Sequence, residues 1–254
     1  MSELISLELQ GAIARVTLCR PPVNAINDAW VDRLNAVLDE IAQRAEVNVL
    51  WLRSNQRVFC AGADLEFMRA CFLSEEGRAQ MIAITRRMQE VYARLERLDR
   101  LTLAEIGGAA LGGGFELALA CDLRIVADSA KLGLPEVRLG LLPAAGGTQR
   151  LTRLCGEGLA RRLILGAEIV PGCDAPGLGM AQWAAPAAEL ETRTRALAER
   201  LAQLPRAALA AAKTCIAAAL DGGAQGFEVE LAGSRMLLGN ADTQARVRRF
   251  LEKD

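Results

Sequence analysis

Apolar positions along this chain change their period several times, and each change marks a new element. Leu4 to Leu9 and Ala12 to Leu18 alternate or run apolar around Gly11, the pattern of a hairpin opening a sheet. After Arg20-Pro21-Pro22 the period lengthens. Trp30, Val31, Leu34, Val37, Leu38 and Ile41 recur at helical spacing behind Asn27 or Asp28, either of which suits an N-cap. Val47 to Leu52 reads as a buried strand, so a β-α-β succession has begun. A loop at Ser54-Asn55-Gln56-Arg57 leads into the compact segment Val58 to Leu65. In the charged stretch that follows, Met81, Ile84, Met88, Val91, Leu95 and Leu98 mark one helical face, read as core packing. Leu101 to Ile106 predicts a strand, Gly112-Gly113-Gly114 a turn into a helix through Cys121, and Leu123 to Ala127 the next strand.

Beyond Gly166 the pattern loosens. Ala175-Pro176-Gly177 interrupts it, and from about Glu189 the chain is alanine-rich and helical. Arg206 to Leu220 is apolar almost all round, which predicts burial on both sides and an assembly role for the tail. No repeat or low-complexity linker separates this tail from the rest, so it is expected to pack on the core.

Composition narrows the function classes. A chain of 254 residues is long enough for a sizeable α/β core. Its net charge of −1 supplies no general field for nucleic acid or anionic membrane, and aromatic residues at 4% are too few for a base-stacking platform. No apolar run reaches transmembrane length, because Glu116, Asp122 and Arg124 break the longest, Leu111 to Val126. The start, Met-Ser-Glu-Leu-Ile, has neither a charged signal-peptide head nor an Arg-rich transit pattern. Seven scattered cysteines without a C-x-x-C pair fit reduced packing thiols in a cytoplasmic protein.

The absence of histidine removes Ser-His-Asp and Cys-His nucleophile systems and histidine-ligated zinc, and the cysteines lack zinc spacing, so no metal site is expected. The triglycine is followed neither by a P-loop Lys nor by dinucleotide-binding spacing. Proton transfer must fall to carboxylates, lysine, cysteine, the single Tyr92 or water. Three glycines running into an apolar helix let backbone N–H groups and the positive end of a helix dipole face developing negative charge. Glu116 lies on that helix and Glu136 follows Pro135, so these two acids lead the candidates. Taken singly, each also reads as a helix-capping or surface glutamate, the triglycine as a packing turn, and Asp64 as a plain N-cap.

The ordered segments Pro22-Val23-Asn24-Ala25-Ile26-Asn27, Phe59-Cys60-Ala61-Gly62-Ala63-Asp64-Leu65, Gly112-Gly113-Gly114-Phe115-Glu116-Leu117-Ala118, Pro135-Glu136 and Gly146-Gly147-Thr148-Gln149-Arg150-Leu151 resemble the successive motifs of the crotonase family, the enoyl-CoA hydratase/isomerase superfamily. The resemblance is clear over residues 3–166 and looser in the tail. It implies an α/β spiral of repeated β-β-α turns over residues 1–190, carrying the active site, and an α-helical oligomerisation region over 191–254 that forms a homotrimer or a dimer of trimers. It implies an acyl-CoA thioester substrate and no separate cofactor. The thioester carbonyl would sit between the N–H groups of Ala63 and Gly113, where removing one such donor typically costs about 3 kcal/mol of barrier. Glu116 would hold and activate water, and Glu136 would serve the Cα proton of a 2-enoyl-CoA. Ala25, Ala61, Asp64 and Leu65 would lie along the CoA moiety, with Arg20 near its phosphates. Cys60, beside the turn, has no visible base and reads as a buried thiol.

Three departures from the family pattern stand out. Pro143-Ala144-Ala145-Gly146-Gly147 has Ala144, at the substrate site, where hydratases carry glycine, a change that strains the backbone if φ is positive. Pro176 falls where relatives continue a helix. The C-terminus stops short of the basic tail of many relatives, so a CoA phosphate contact from there is either missing or rests on Lys253. Alternatives to a hydratase are a double-bond isomerase of the same fold, working through Glu136, and a catalytically silent acyl-CoA-binding protein.

Overall fold

The computed structural model describes residues 3–220 and 225–252, so Lys253 lies outside the described residues. Strands β1 (Ile5–Gln10) and β2 (Ile13–Leu18) form the expected antiparallel hairpin. The Asn27 side chain caps α1 (Asp28–Ala42) by accepting the Trp30 N–H at 3.0 Å, and the six apolar positions read from the sequence are all buried. There follow β3 (Val49–Ser54), α2 (Leu65–Cys71), α3 (Glu75–Glu96), β4 (Leu101–Ile106), β5 (Ala110–Leu111) and α4 (Gly113–Leu119). Next come β6 (Leu123–Ala127), β7 (Lys131–Gly133), a 3-10 turn at Glu136–Leu139, α5 (Gly147–Cys155), α6 (Glu157–Leu165) and β8 (Val170–Pro171). The chain ends with β9 (Trp183–Ala185), α7 (Leu190–Ala202), α8 (Arg206–Leu220), α9 (Gly226–Leu238) and α10 (Ala241–Leu251). Helix α3 starts ahead of its first apolar marker because Ser74 Oγ takes the Gly77 N–H at 2.9 Å, an N-cap that apolar periodicity does not register.

The strands build a spiral. The larger sheet has the order β1-β2-β3-β4-β6-β9, parallel from β2 onward, and the smaller has the order β5-β7-β8. Isolated parallel bridges Ile26 to Ala63 and Cys60 to Ala110 align the earlier turns with the smaller sheet. Each turn therefore lays one segment in the large sheet, one along the small ladder, and then a helix, as in β4-β5-α4 and β6-β7-α5. Strand β4 is buried at all six positions, as befits a parallel strand covered on both faces.

Two features were not legible from periodicity. Arg124, which reads in the sequence only as a charge interrupting an apolar run, is fully buried. It donates to the carbonyls of Ala118 and Cys121 at the end of α4, and to Met180 O at 2.8 Å, giving orphan helix carbonyls a charged donor. Helix α7 packs on the large sheet and buries Leu190, Thr194, Ala198, Leu201 and Ala202, so sheet packing runs to Ala202, past the break expected at 190.

The tail corrects one expectation. No residue described between Arg206 and Ala219 is buried within this chain, and Ile216 is 66% exposed. Helix α8 does pack on the core by one face, where Lys213 Nζ meets Asp122 Oδ2 at 2.7 Å and Arg100 O at 2.9 Å. An alanine-rich helix hydrophobic on every side is thus covered by the core along one face and by α9 along another, and its remaining surface is left open. Among the described residues, no helix is long and apolar enough to cross a membrane.

Candidate active site

The spiral brings two small-residue turns together. The loop after β2 zips onto the segment after β3: Ala61 N–H donates to Val23 O, Ile26 N–H to Gly62 O and Asp64 N–H to Ile26 O, each at 2.9–3.0 Å. Asn24 makes this possible. It is fully buried at φ +53°, a conformation asparagine tolerates better than most residues, and its amide donates to Ser54 Oγ and Phe59 O. Strand pairing through Ile26 uses the Gly62 carbonyl and the Asp64 N–H, and the Ala63 N–H between them has no acceptor among the described residues.

The neighbouring turn of the spiral supplies Gly113, the first residue of α4, whose N–H likewise has no acceptor among the described residues. A Cβ on Gly62 would lie 3.3 Å from Gly113 N, so the two turns abut. Gly112 holds φ +52°, which a larger residue resists, and the buried Tyr92 hydroxyl donates to Gly113 O at 2.9 Å. Tyr92 thus holds the turn. Burial, with Cys60 and Glu116 nearby, raises its phenol far above the ordinary value, so it keeps its proton. Burial also pushes the Cys60 thiol up to about 12, and the thiol donates to Asn24 O; it is a packing group.

Both glutamates converge on the triglycine. Glu116 is 2% exposed, and its Oε1 accepts the Gly147 N–H at 2.7 Å. Burial lifts its acid to about 7; the Gly147 N–H opposes the shift and the charge of Glu136 adds to it. Glu136, at the start of its 3-10 turn, sends Oε1 to within 3.0 Å of where a Gly112 Cβ would stand, and Oε2 is buried without a hydrogen-bond partner among the described residues. Burial raises this acid as well. Burial thus favours the protonated form of both carboxyls, and the charge of Glu136 adds to that effect at Glu116.

The remaining candidates fall into two places. Arg20, Ala25, Asp64 and Leu65 cluster at the mouth of the first turn: Arg20 donates to Ala25 O and, at 2.5 Å, to Asp64 Oδ2, while Asp64 caps α2 and Leu65 is 73% exposed. Asp64 is therefore both the N-cap and an ion-pair partner, and Arg20 is already engaged. Ala61 lies exposed just before the Gly62 turn. Ala144 lies apart, in the turn before α5. It is not among the non-glycine residues with positive φ, which are Asn24 and Ala167, so the strain feared for this substitution does not arise. Gly146, at φ +109°, takes the left-handed position instead. Asn24 and Arg150 stood in the sequence as motif members and Tyr92 as one of the groups able to move a proton, all without assigned contacts; only the left-handed tolerance of Asn24 hinted at its place.

Comparison with known proteins places the chain in a family. A sequence model described as enoyl-CoA hydratase/isomerase matches residues 8–254. The chain is 38% identical over 200 residues to a probable enoyl-CoA hydratase of Bacillus subtilis, covering 78% of this chain and 76% of that one. It is 34% identical over 255 residues to the 2,3-dehydroadipyl-CoA hydratase of Escherichia coli, covering 100% and 97%. The crystal structure of an enoyl-CoA hydratase from Bacillus anthracis superposes with TM-score 0.92 at 32% identity, covering 99% of this chain and 97% of that one. Pseudomonas aeruginosa DspI superposes with TM-score 0.91 at 31% identity, covering 99% and 95%. In sequence and in spiral fold alike, this chain belongs to the enoyl-CoA hydratase/isomerase family, the crotonases.

Proposed function

We propose that this protein is a 2-enoyl-CoA hydratase. The observation that carries the reading is the convergence of Glu116 and Glu136 beside the two uncommitted N–H groups of Ala63 and Gly113. The thioester oxygen accepts both N–H groups, which stabilise the negative charge that develops when the 2,3 double bond is attacked. Glu116 takes a proton from water as its oxygen bonds to C3, and Glu136 gives a proton to C2. The water's hydroxyl and one proton are thereby added across the bond, and the carboxyl pair ends with the proton count it began with. The CoA travels with the substrate, and the scheme calls for no other cofactor.

Relatives named as hydratases support this reading over an isomerase, which needs only one carboxylate to shuttle a proton. The seven unpaired thiols fit a cytoplasmic setting. Loss of conjugated-thioester absorbance on mixing with crotonyl-CoA, with 3-hydroxyacyl-CoA as the product, is the expected result. A shifted double bond without water uptake would establish the isomerase, and binding without turnover the silent homologue.

Two further expectations accompany this reading. The exposed apolar side chains of the last helices, among them Phe227, Leu231, Leu238 and Phe250, suit a homotrimer or a dimer of trimers; light scattering at micromolar concentration should give three or six chains, and a monomer would refute the assembly. Because Ala144 is unstrained, Ala144→Gly should bring no gain in hydration and should lower stability to urea by about 0.4–1 kcal/mol through added freedom in the unfolded chain.

A further inference from the structure

We propose that Arg150, clamped by Glu96, is a positioning residue that fixes the Ala144–Gly147 turn and, through it, the Glu116 carboxylate. The inference rests on the hydratase reading, in which Glu116 handles the attacking water, and extends it to residues that do not touch the reacting atoms.

Arg150 lies on α5 and is 8% exposed. Its Nε and Nη2 both donate to Glu96 Oε2, at 3.1 and 2.8 Å, and Nη1 donates to Ala145 O at 3.1 Å. A Cβ on Gly146 would stand 2.1 Å from Nη1, so the turn lies directly on the guanidinium. The next residue, Gly147, gives its N–H to Glu116 Oε1 at 2.7 Å. Helix α3 contributes a second hold, because Gln89 Nε2 donates to Ala144 O at 2.6 Å. Helix α3 therefore holds the turn at two adjacent carbonyls, directly through Gln89 at Ala144 and through the Glu96–Arg150 pair at Ala145, and the turn presents the donor that aims Glu116.

The pair is only half-buried, with the Glu96 side chain 42% exposed, and a partly solvated ion pair adds little to stability alone. Its planar fork, however, sets orientation at several points at once, which a lysine does not reproduce. Arg150 also acts on Glu116 by charge, opposing the rise in its acid caused by burial and Glu136. The other titratable group facing Glu116 is Tyr92, itself beside Cys60; both keep their protons near neutral pH. Glu116, Glu136 and Arg150 are thus left to govern the acid limb of activity.

The test compares wild type with Arg150→Met, Arg150→Lys and Glu96→Gln, using kcat, KM and the pH profile with crotonyl-CoA, and carbon NMR titration of the Glu116 carboxyl. Arg150→Met is expected to lose about 30-fold or more in kcat with KM little changed, a size typical of slight misplacement at a reacting centre. Its acid limb and its Glu116 titration should both move to higher pH. Arg150→Lys should restore the limb but only part of kcat, and Glu96→Gln should lower kcat without raising the limb. Wild-type kcat with an unmoved Glu116 titration in Arg150→Met would overturn the proposal. If that variant does not fold, full activity in both Arg150→Lys and Glu96→Gln would overturn it equally. An inactive wild type would sink the hydratase reading alone, because the NMR titration still reports whether Arg150 governs Glu116.

Discussion

Glu116→Gln protein is expected to fold fully and to lose about a thousandfold in hydration rate, and Glu136→Gln to lose a similar factor, the range typical for removing a positioned acid or base. Shape is preserved in the first case. A glutamine Oε1 still accepts the Gly147 N–H that Glu116 accepts at 2.7 Å, so the loss reports proton transfer and not collapse of the turn. Steady-state rates with crotonyl-CoA check this, and either variant retaining full activity would remove that acid from the mechanism. The wild-type acid limb should lie near pH 7, because burial lifts Glu116 to about 7 and only its ionised form accepts a proton from water.

The same shift gives a stability prediction of opposite sign. Glu116 is raised in the folded chain from an ordinary 4.5 to about 7, so the folded state binds more protons than the unfolded state between those values. Its contribution to stability is complete below about pH 4.5 and is lost as pH rises through 7. Glu116→Gln, which carries no ionisable acid there, should match wild type near pH 5 and exceed it at pH 8 by up to about 3 kcal/mol. Urea unfolding at the two pH values measures the difference. A variant that is less stable at pH 8 would mean that the carboxylate is better solvated in the fold than its burial implies.

The second large effect is expected at Gly114. An alanine Cβ there would stand 2.2 Å from Cys60 O and 2.7 Å from Cys60 Cβ, and the first of these is backbone that cannot rotate aside. Cys60 O also accepts the Leu111 N–H at 3.0 Å, part of the parallel bridge that aligns the two turns. Gly114→Ala must therefore push α4 away from the Cys60–Ala63 segment. The expected loss is about 3 kcal/mol, at the upper end for overpacking, and a fall in Tm of about 6–12 °C for a domain of this size. Separation of the Ala63 and Gly113 N–H groups should lower kcat in whatever protein still folds. Gly158→Ala, where an added Cβ meets nothing within 4 Å, is the control and should be neutral or slightly stabilising. Equal melting temperatures for the two variants would show that α4 is free to move and is not locked to Cys60.

The contrast between these glycines shows where local reading of the chain stops. Gly114 and Gly158 look alike in sequence, each opening a helix, and differ only in what another turn of the spiral places against them. Local pattern determined the hairpin around Gly11, helix α1 with its Asn27 cap, the buried strands and the triglycine entry to α4, because those depend on period, capping and chain entropy within a few residues. The pairing of Glu116 with Glu136 was reachable too, because the absence of histidine left few groups able to move protons and the ordered motifs placed both acids together.

Tertiary structure alone decided the contacts between residues far apart along the chain. It set Asn24 against Phe59, Tyr92 against Gly113 and Arg150 between Glu96 and Ala145, and it put Ala144 in an unstrained conformation. It also left α8 half-exposed where its composition predicts full burial. Hydrogen-bond partners and dielectric depend on what the spiral stacks beside a residue, and neither is encoded in that residue's neighbours along the chain.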